Sequence, residues 1–105
     1  MALSKLTANE REIVFRCLRA AAEGPFFDDK EFHPIFGLDR DEVRAVISRW
    51  SEVNENDEDV ALAINNSFAN LLGFPHHEGK VLREMVGVGD KEIQRVFSKW
   101  PGDPA

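Results

Sequence analysis

The feature that most constrains how this chain can fold is that it matches itself. Sliding the sequence by 50 residues sets PFFDDKEFHPIFGLDRDEVRAVISRW (25–50) over PHHEGKVLREMVGVGDKEIQRVFSKW (75–100) without a gap, and 7 of 26 positions are identical. These are Pro25/Pro75, Lys30/Lys80, Gly37/Gly87, Glu42/Glu92, Val46/Val96, Ser48/Ser98 and Trp50/Trp100. Average composition would give about one or two. The apolar pattern keeps step as well, with Phe32/Leu82, Ile35/Met85, Phe36/Val86, Leu38/Val88, Val43/Ile93 and Ile47/Phe97. Upstream, Val14, Leu18 and Ala21 fall on Ile64, Phe68 and Leu71. An internal duplication explains this better than accident. The units run from about residue 5 to 50 and from about 55 to 100, joined by an acidic linker at 51–56.

Each unit reads as three helices. Thr7 followed by Glu10 has capping-box spacing, and apolar residues then recur at helical intervals until Gly24-Pro25 stops the run. A second helix starts at Asp28, with Glu31 three residues on, and ends at Gly37. A third follows Asp39 and places Val43, Val46, Ile47 and Trp50 along one face. In the second unit Asn56 or Asp57 caps a helix with an acidic first turn, where carboxylates meet the positive end of the helix dipole. Val60, Ile64, Phe68, Leu71 and Leu72 form its buried stripe, Gly73 and Pro75 close it, and residues 79–86 and 90–100 repeat the short and long helices. No useful stretch alternates with period two. The expectation is an all-α fold of six helices, two three-helix units packed as one compact domain over residues 1–105. A unit of about 50 residues alone buries only a marginal core, so the two should pack on each other. Trp50 and Trp100, closing the units, are expected to be substantially buried.

EFHPIFGLDRDEVRAVISRW and VLREMVGVGDKEIQRVFSKW both resemble the helix-turn-helix pattern: a short helix, a glycine in a tight turn, an apolar residue, then a longer helix. Two helices crossing steeply through so short a turn need one residue free of Cβ strain, which Gly37 and Gly87 supply. Leu38 and Val88 then drop into the core. What the resemblance implies is that the third helix would enter the major groove. It would present Arg40, Asp41, Arg44, Ser48 and Arg49 in the first unit, and Lys91, Gln94, Arg95, Ser98 and Lys99 in the second. Lys91, Arg95 and Lys99 recur every four residues as a basic stripe for phosphates, and Gln94 has the chemistry to read adenine.

Charge argues the other way. The net charge is −6, and residues 1–50 hold 8 Lys/Arg against 9 Asp/Glu while residues 51–105 hold 5 against 10. Each third helix also carries two acids, Asp41 with Glu42 and Asp90 with Glu92, which cap well but are costly beside a phosphate. A DNA-binding domain ordinarily shows a clearly basic footprint, and a shared fold does not fix a function. The preferred reading is therefore a non-catalytic protein-interaction or regulatory module whose partner is another protein. A DNA-binding regulator using Arg40, Arg44, Arg49, Lys91, Gln94, Arg95 and Lys99 is the alternative.

The remaining candidates read as structure. His76, His77 and Glu78 stack three functional groups in a row, but the repeat places them on Phe26, Phe27 and Asp28, a helix-entry turn. Adjacent side chains do not converge, no metal spacing such as i, i+4 is present, and His33 maps onto Arg83. The segment SEVNENDED lacks the central glycine of a calcium loop, and the twelfth position from Asn54 is Asn65 rather than a glutamate. Cys17, the only cysteine, has no internal disulfide partner and lies on an apolar helix face. Asn65, Asn66 and Asn70 are poor helix formers inside a strongly apolar helix. They either hydrogen-bond nearby backbone, including across the two units, which is preferred, or belong to a partner-binding surface. No nucleophile elbow, phosphate-binding glycine loop or metalloprotease signature occurs, so no enzyme activity, cofactor or metal is expected. No apolar run approaches the ~20 residues of a membrane span, and no signal-peptide pattern opens MALSKLTANEREIV. A cytoplasmic location without a membrane partner is the expectation.

Overall fold

The computed structural model describes residues 6–24, 26–52, 57–73 and 79–99. His76, His77, Glu78, Trp100 and linker residues 53–56 lie outside them. Among the described residues six α-helices follow in order: α1 Ala8–Glu23, α2 Asp29–Phe36, α3 Arg40–Ser48, α4 Glu58–Gly73, α5 Gly79–Val86 and α6 Asp90–Lys99, and a 3-10 turn lies at Trp50–Glu52. No strand occurs among the described residues. The fold is all-α, with a radius of gyration of 12.6 Å. Helices α4, α5 and α6 each begin 50 residues after α1, α2 and α3.

Local chemistry sets these boundaries. At the start of α1, Thr7 Oγ1 accepts from Glu10 N at 3.1 Å and Glu10 Oε1 accepts from Thr7 N at 2.9 Å, a reciprocal capping box. Asp28 opens α2 by accepting from Glu31 N at 3.0 Å. At the start of α3 the Glu42 carboxylate reaches back to Asp39 N at 2.8 Å. Asp57 opens α4, its side chain accepting from Asp59 N at 3.2 Å. The short helices both end on a left-handed glycine, Gly37 with φ 72° and Gly87 with φ 88°, whose N–H groups return to His33 O and Arg83 O at 2.8 Å. A side chain with a Cβ is strained in that backbone region, which is why glycine stands at both turns.

Helices α1 and α4 form the central pair. Small buried residues line both, Cys17, Ala20 and Ala21 on α1 and Ala63 and Ser67 on α4. Around them the core is filled by Val14, Leu18, Phe32, Phe36, Val43, Val46, Ile64, Phe68, Leu82, Val86, Ile93 and Val96, all essentially inaccessible. Phe32 stacks on Phe36 with centroids 4.3 Å apart and planes at 6°, and Phe27 meets Phe36 edge-on at 5.2 Å. On the other side Phe68 stacks on Phe97 at 5.1 Å. Trp50, just past the end of α3 at Ser48, is partly buried against the core with its indole on Phe15 at 5.8 Å, in line with the expected burial. No helix among the described residues is long and apolar enough to cross a membrane.

Candidate functional site

The third helices α3 and α6 carry the side chains that sequence singles out for nucleic acid, and most of them are turned onto the protein itself. Arg40 opens α3 and folds back beneath it. Its guanidinium donates to Ala22 O, to Phe27 O at 2.8 Å and to Asp29 Oδ1 at 3.0 Å, and lies 4.6 Å from the Phe32 ring centroid. Its side chain is 16% exposed. An arginine has five donors in a planar fork, so one residue can close the free carbonyls at the end of α1 and in the α1–α2 loop while stacking on a ring. One turn further, Arg44 meets both oxygens of Glu23 at 2.8 to 3.2 Å and Asp41 at 3.1 Å. The Arg44 guanidinium hydrogen-bonded to Glu23 holds that carboxyl below its ordinary range. Glu23 and Asp41 in turn raise Arg44. Arg49 pairs with Asp57 at 3.8 Å.

In α6 the anchor is an acid supplied by α1. The side chain of Glu10 is 4% exposed, and its carboxylate accepts from Lys99 Nζ at 2.7 Å on both oxygens, from Arg95 Nη1 at 2.8 Å and from Thr7 N at 2.9 Å. Lys99 chiefly, then the Thr7 N–H and Arg95, pull its pKa down to about 2. A buried carboxylate with this many charge-assisted donors is the satisfied case of a buried charge. Arg95 also grips Glu92, at 2.9 Å and 2.5 Å, which lowers Glu92 and raises Arg95. Among the residues proposed for DNA, only Lys91 and Gln94 are exposed without an ion-pair or hydrogen-bond partner among the described residues.

The asparagine helix is likewise engaged. Asn66 Nδ2 donates to Phe36 O at 2.6 Å, across from α4 to the end of α2, and Asn70 Nδ2 donates to Asn66 O at 2.9 Å. Asn65 faces solvent, and its 3.4 Å approach to Asn66 Oδ1 is at the long limit of a hydrogen bond. Cys17 is fully buried, and burial pushes its thiol up to about 12, so no thiolate is present at neutral pH. Ser67, fifty residues on, is also buried, its hydroxyl without a partner among the described residues.

One concave region was not evident from sequence. A depression of about 420 Å³ between α2 and the start of α3 is lined by Asp29, Phe32, His33, Asp39, Arg40, Asp41, Glu42 and Arg44. His33 Nδ1 lies 2.8 Å from Asp39 Oδ1, and with Glu42 the three side chains place their potential ligand atoms within 4.8 Å of one another. Folding across the Gly37 turn brings them together from positions six and nine apart. One nitrogen and two carboxylate oxygens could in principle hold a divalent cation. Here all three groups are exposed, Glu42 already caps Asp39 N, and two guanidiniums line the same hollow. The arrangement is explained as a capped helix start with a histidine leaning on it. Nothing in it aligns a nucleophile with a base. No family model, curated protein or solved structure matches the chain, so its own residues carry the functional reading.

Proposed function

We propose that the chain is a small, non-catalytic, cytoplasmic protein-interaction or regulatory module. The observation that carries this reading is the fate of the third-helix cations. Arg40, Arg44, Arg49, Arg95 and Lys99 are each committed to an intramolecular carboxylate, and Arg40 to carbonyls besides. A cation paired with a carboxylate of the fold must loosen that pair to meet a phosphate, which lowers what it adds to DNA affinity, although Arg44, Arg49, Arg95 and Lys99 keep 41–49% of their side chains exposed. Outward and without an ion-pair partner among the described residues stand Glu31, Glu52, Glu58, Asp59, Glu84 and Asp90, but also Arg11, Arg19, Lys30, Lys80, Arg83 and Lys91, so this surface is mixed in sign and the acidic balance is that of the chain's net charge of −6. Charge complementarity then favours a partner protein with a basic docking surface. The solvent-facing Asn65 stands available for such a contact, whereas Asn66 and Asn70 serve the fold.

The other reading, a DNA-binding regulator using the third helix of each unit, draws its support from Lys91 and Gln94, exposed on neighbouring turns of α6. Fluorescence polarisation with random-sequence duplex DNA at low salt separates the two. The interaction-module reading expects no saturable binding. Binding that weakens steeply with added salt, and that Lys91→Glu abolishes, would establish the DNA reading in its place.

A further inference from the structure

The helix pairings between residues 6–52 and residues 57–99 reappear when each helix is exchanged for the one 50 positions away, and one pair of polar contacts does so as well. The leading helices pack across rather than within: α1 lies on α5 and α4 on α2, and neither makes a comparable contact with the short helix of its own half. On α1, Arg16 Nη1 donates to Val86 O at 3.3 Å; on α4, Asn66 Nδ2 donates to Phe36 O at 2.6 Å. Residues 16 and 66 correspond, as do 86 and 36. Each side chain satisfies the last carbonyl before a left-handed glycine of the opposite half, and Arg16 sits so close that a Cβ on Gly87 would lie 2.8 Å from its Nη1. The end of each third helix also meets the start of the opposite leading helix, though through acids that do not correspond: Arg49 reaches Asp57 at the start of α4 at 3.8 Å, and Lys99 reaches Glu10 at the start of α1 at 2.7 Å.

A contact set that maps onto itself under exchange of two partners is an isologous interface, the kind formed by two copies of one subunit about a two-fold axis. We infer that residues 6–52 and 57–99 are binding partners of one another, two interlocked subunits carried on a single strand. The inner surface of each half, with its open helix-end carbonyl and its leading helix, fits the other half and is completed only by it. The linker keeps the partners at high effective concentration.

The experiment uses the full chain with a protease site placed within residues 53–56. After cleavage the fragments are expected to remain a 1:1 complex by light scattering, with unchanged helical circular dichroism and an unfolding midpoint that rises with protein concentration. Asn66→Ala should weaken the association of the cut halves by about tenfold, equivalent to about 1.4 kcal/mol, whereas Asp90→Ala, on the exposed side of α6, should leave it unchanged. Fragments that separate under native conditions, folded or not, overturn the inference. So does an Asn66→Ala protein whose halves bind as tightly as before.

Discussion

The starts of α3 and α6 occupy corresponding places in the two halves, yet they are tied down by opposite means. In α3 a cation goes inward: Arg40 reaches under the helix to carbonyls of the same half and stacks on Phe32. In α6 the same position is Asp90, which stays in solvent, and the tie comes from Glu10 of the far helix gripping Arg95 and Lys99. The first tie is local to its half, joining residues 11 to 18 apart; the second spans 85 and 89 positions. One backbone arrangement thus tolerates two electrostatic solutions, provided that each buried charge finds several partners. The lesson bears on function too, since both solutions engage most of the cations that a groove-binding helix would display, Lys91 excepted.

Three tests probe the contrast, in decreasing order of effect. Phe32→Ala should cost about 3–5 kcal/mol in denaturant unfolding, because it empties a packed site and also removes the ring beneath Arg40. Its counterpart Leu82→Ala, which supports no cation, should cost about 2–3 kcal/mol; equal losses would deny Arg40 a part in the first half's stability. Arg40→Met should destabilise by about 1–3 kcal/mol through the carbonyls it leaves unpaired, while Asp90→Ala should stay within about 0.5 kcal/mol.

The third test is acid titration of Glu10→Gln. Glu10 titrates near 2 in the fold, against about 4.3 for a free glutamate. Its folded-state pKa is depressed, so its contribution is complete above the unfolded value and fades as pH falls from about 4.3 towards 2. Glu10→Gln should therefore flatten the stability profile over that window and leave its slope at higher pH unaltered. A mutant profile parallel to the parent's between those values would show that the α1–α6 tie does not depend on this charge.

Much of the architecture was legible because its causes are local and occur twice. Thr7 with Glu10, Asp28 before α2, and the glycines at 37 and 87 act within three or four residues, so spacing alone locates them. Asn66 was legible as an anomaly: a poor helix former in an apolar helix had to find a partner, and it found Phe36 O in the other half. Arg40 and Glu10 were harder to read. Periodicity reports the face on which a Cα lies, and a long side chain can leave that face for carbonyls or cations brought near only by tertiary folding. Trp50 packs against the core as expected, but from beyond the end of α3 at Ser48 rather than as part of its helical face. The meeting of His33 with Asp39 and Glu42 depends on the sharp bend at Gly37, which spacing marks without showing what lies across it.

The contact between Glu10 and Lys99 has a topological consequence. It brings the end of the last helix beside the start of the first, so the described path returns towards where it begins, much as a ring does. A ring has no privileged starting point. Joining α6 to α1 and opening the strand between α3 and α4 would give the order α4, α5, α6, α1, α2, α3 with every helix neighbour retained. The native arrangement is then one of two equivalent ways of stringing the same body, and which half is made first is a matter of the strand rather than of the packing.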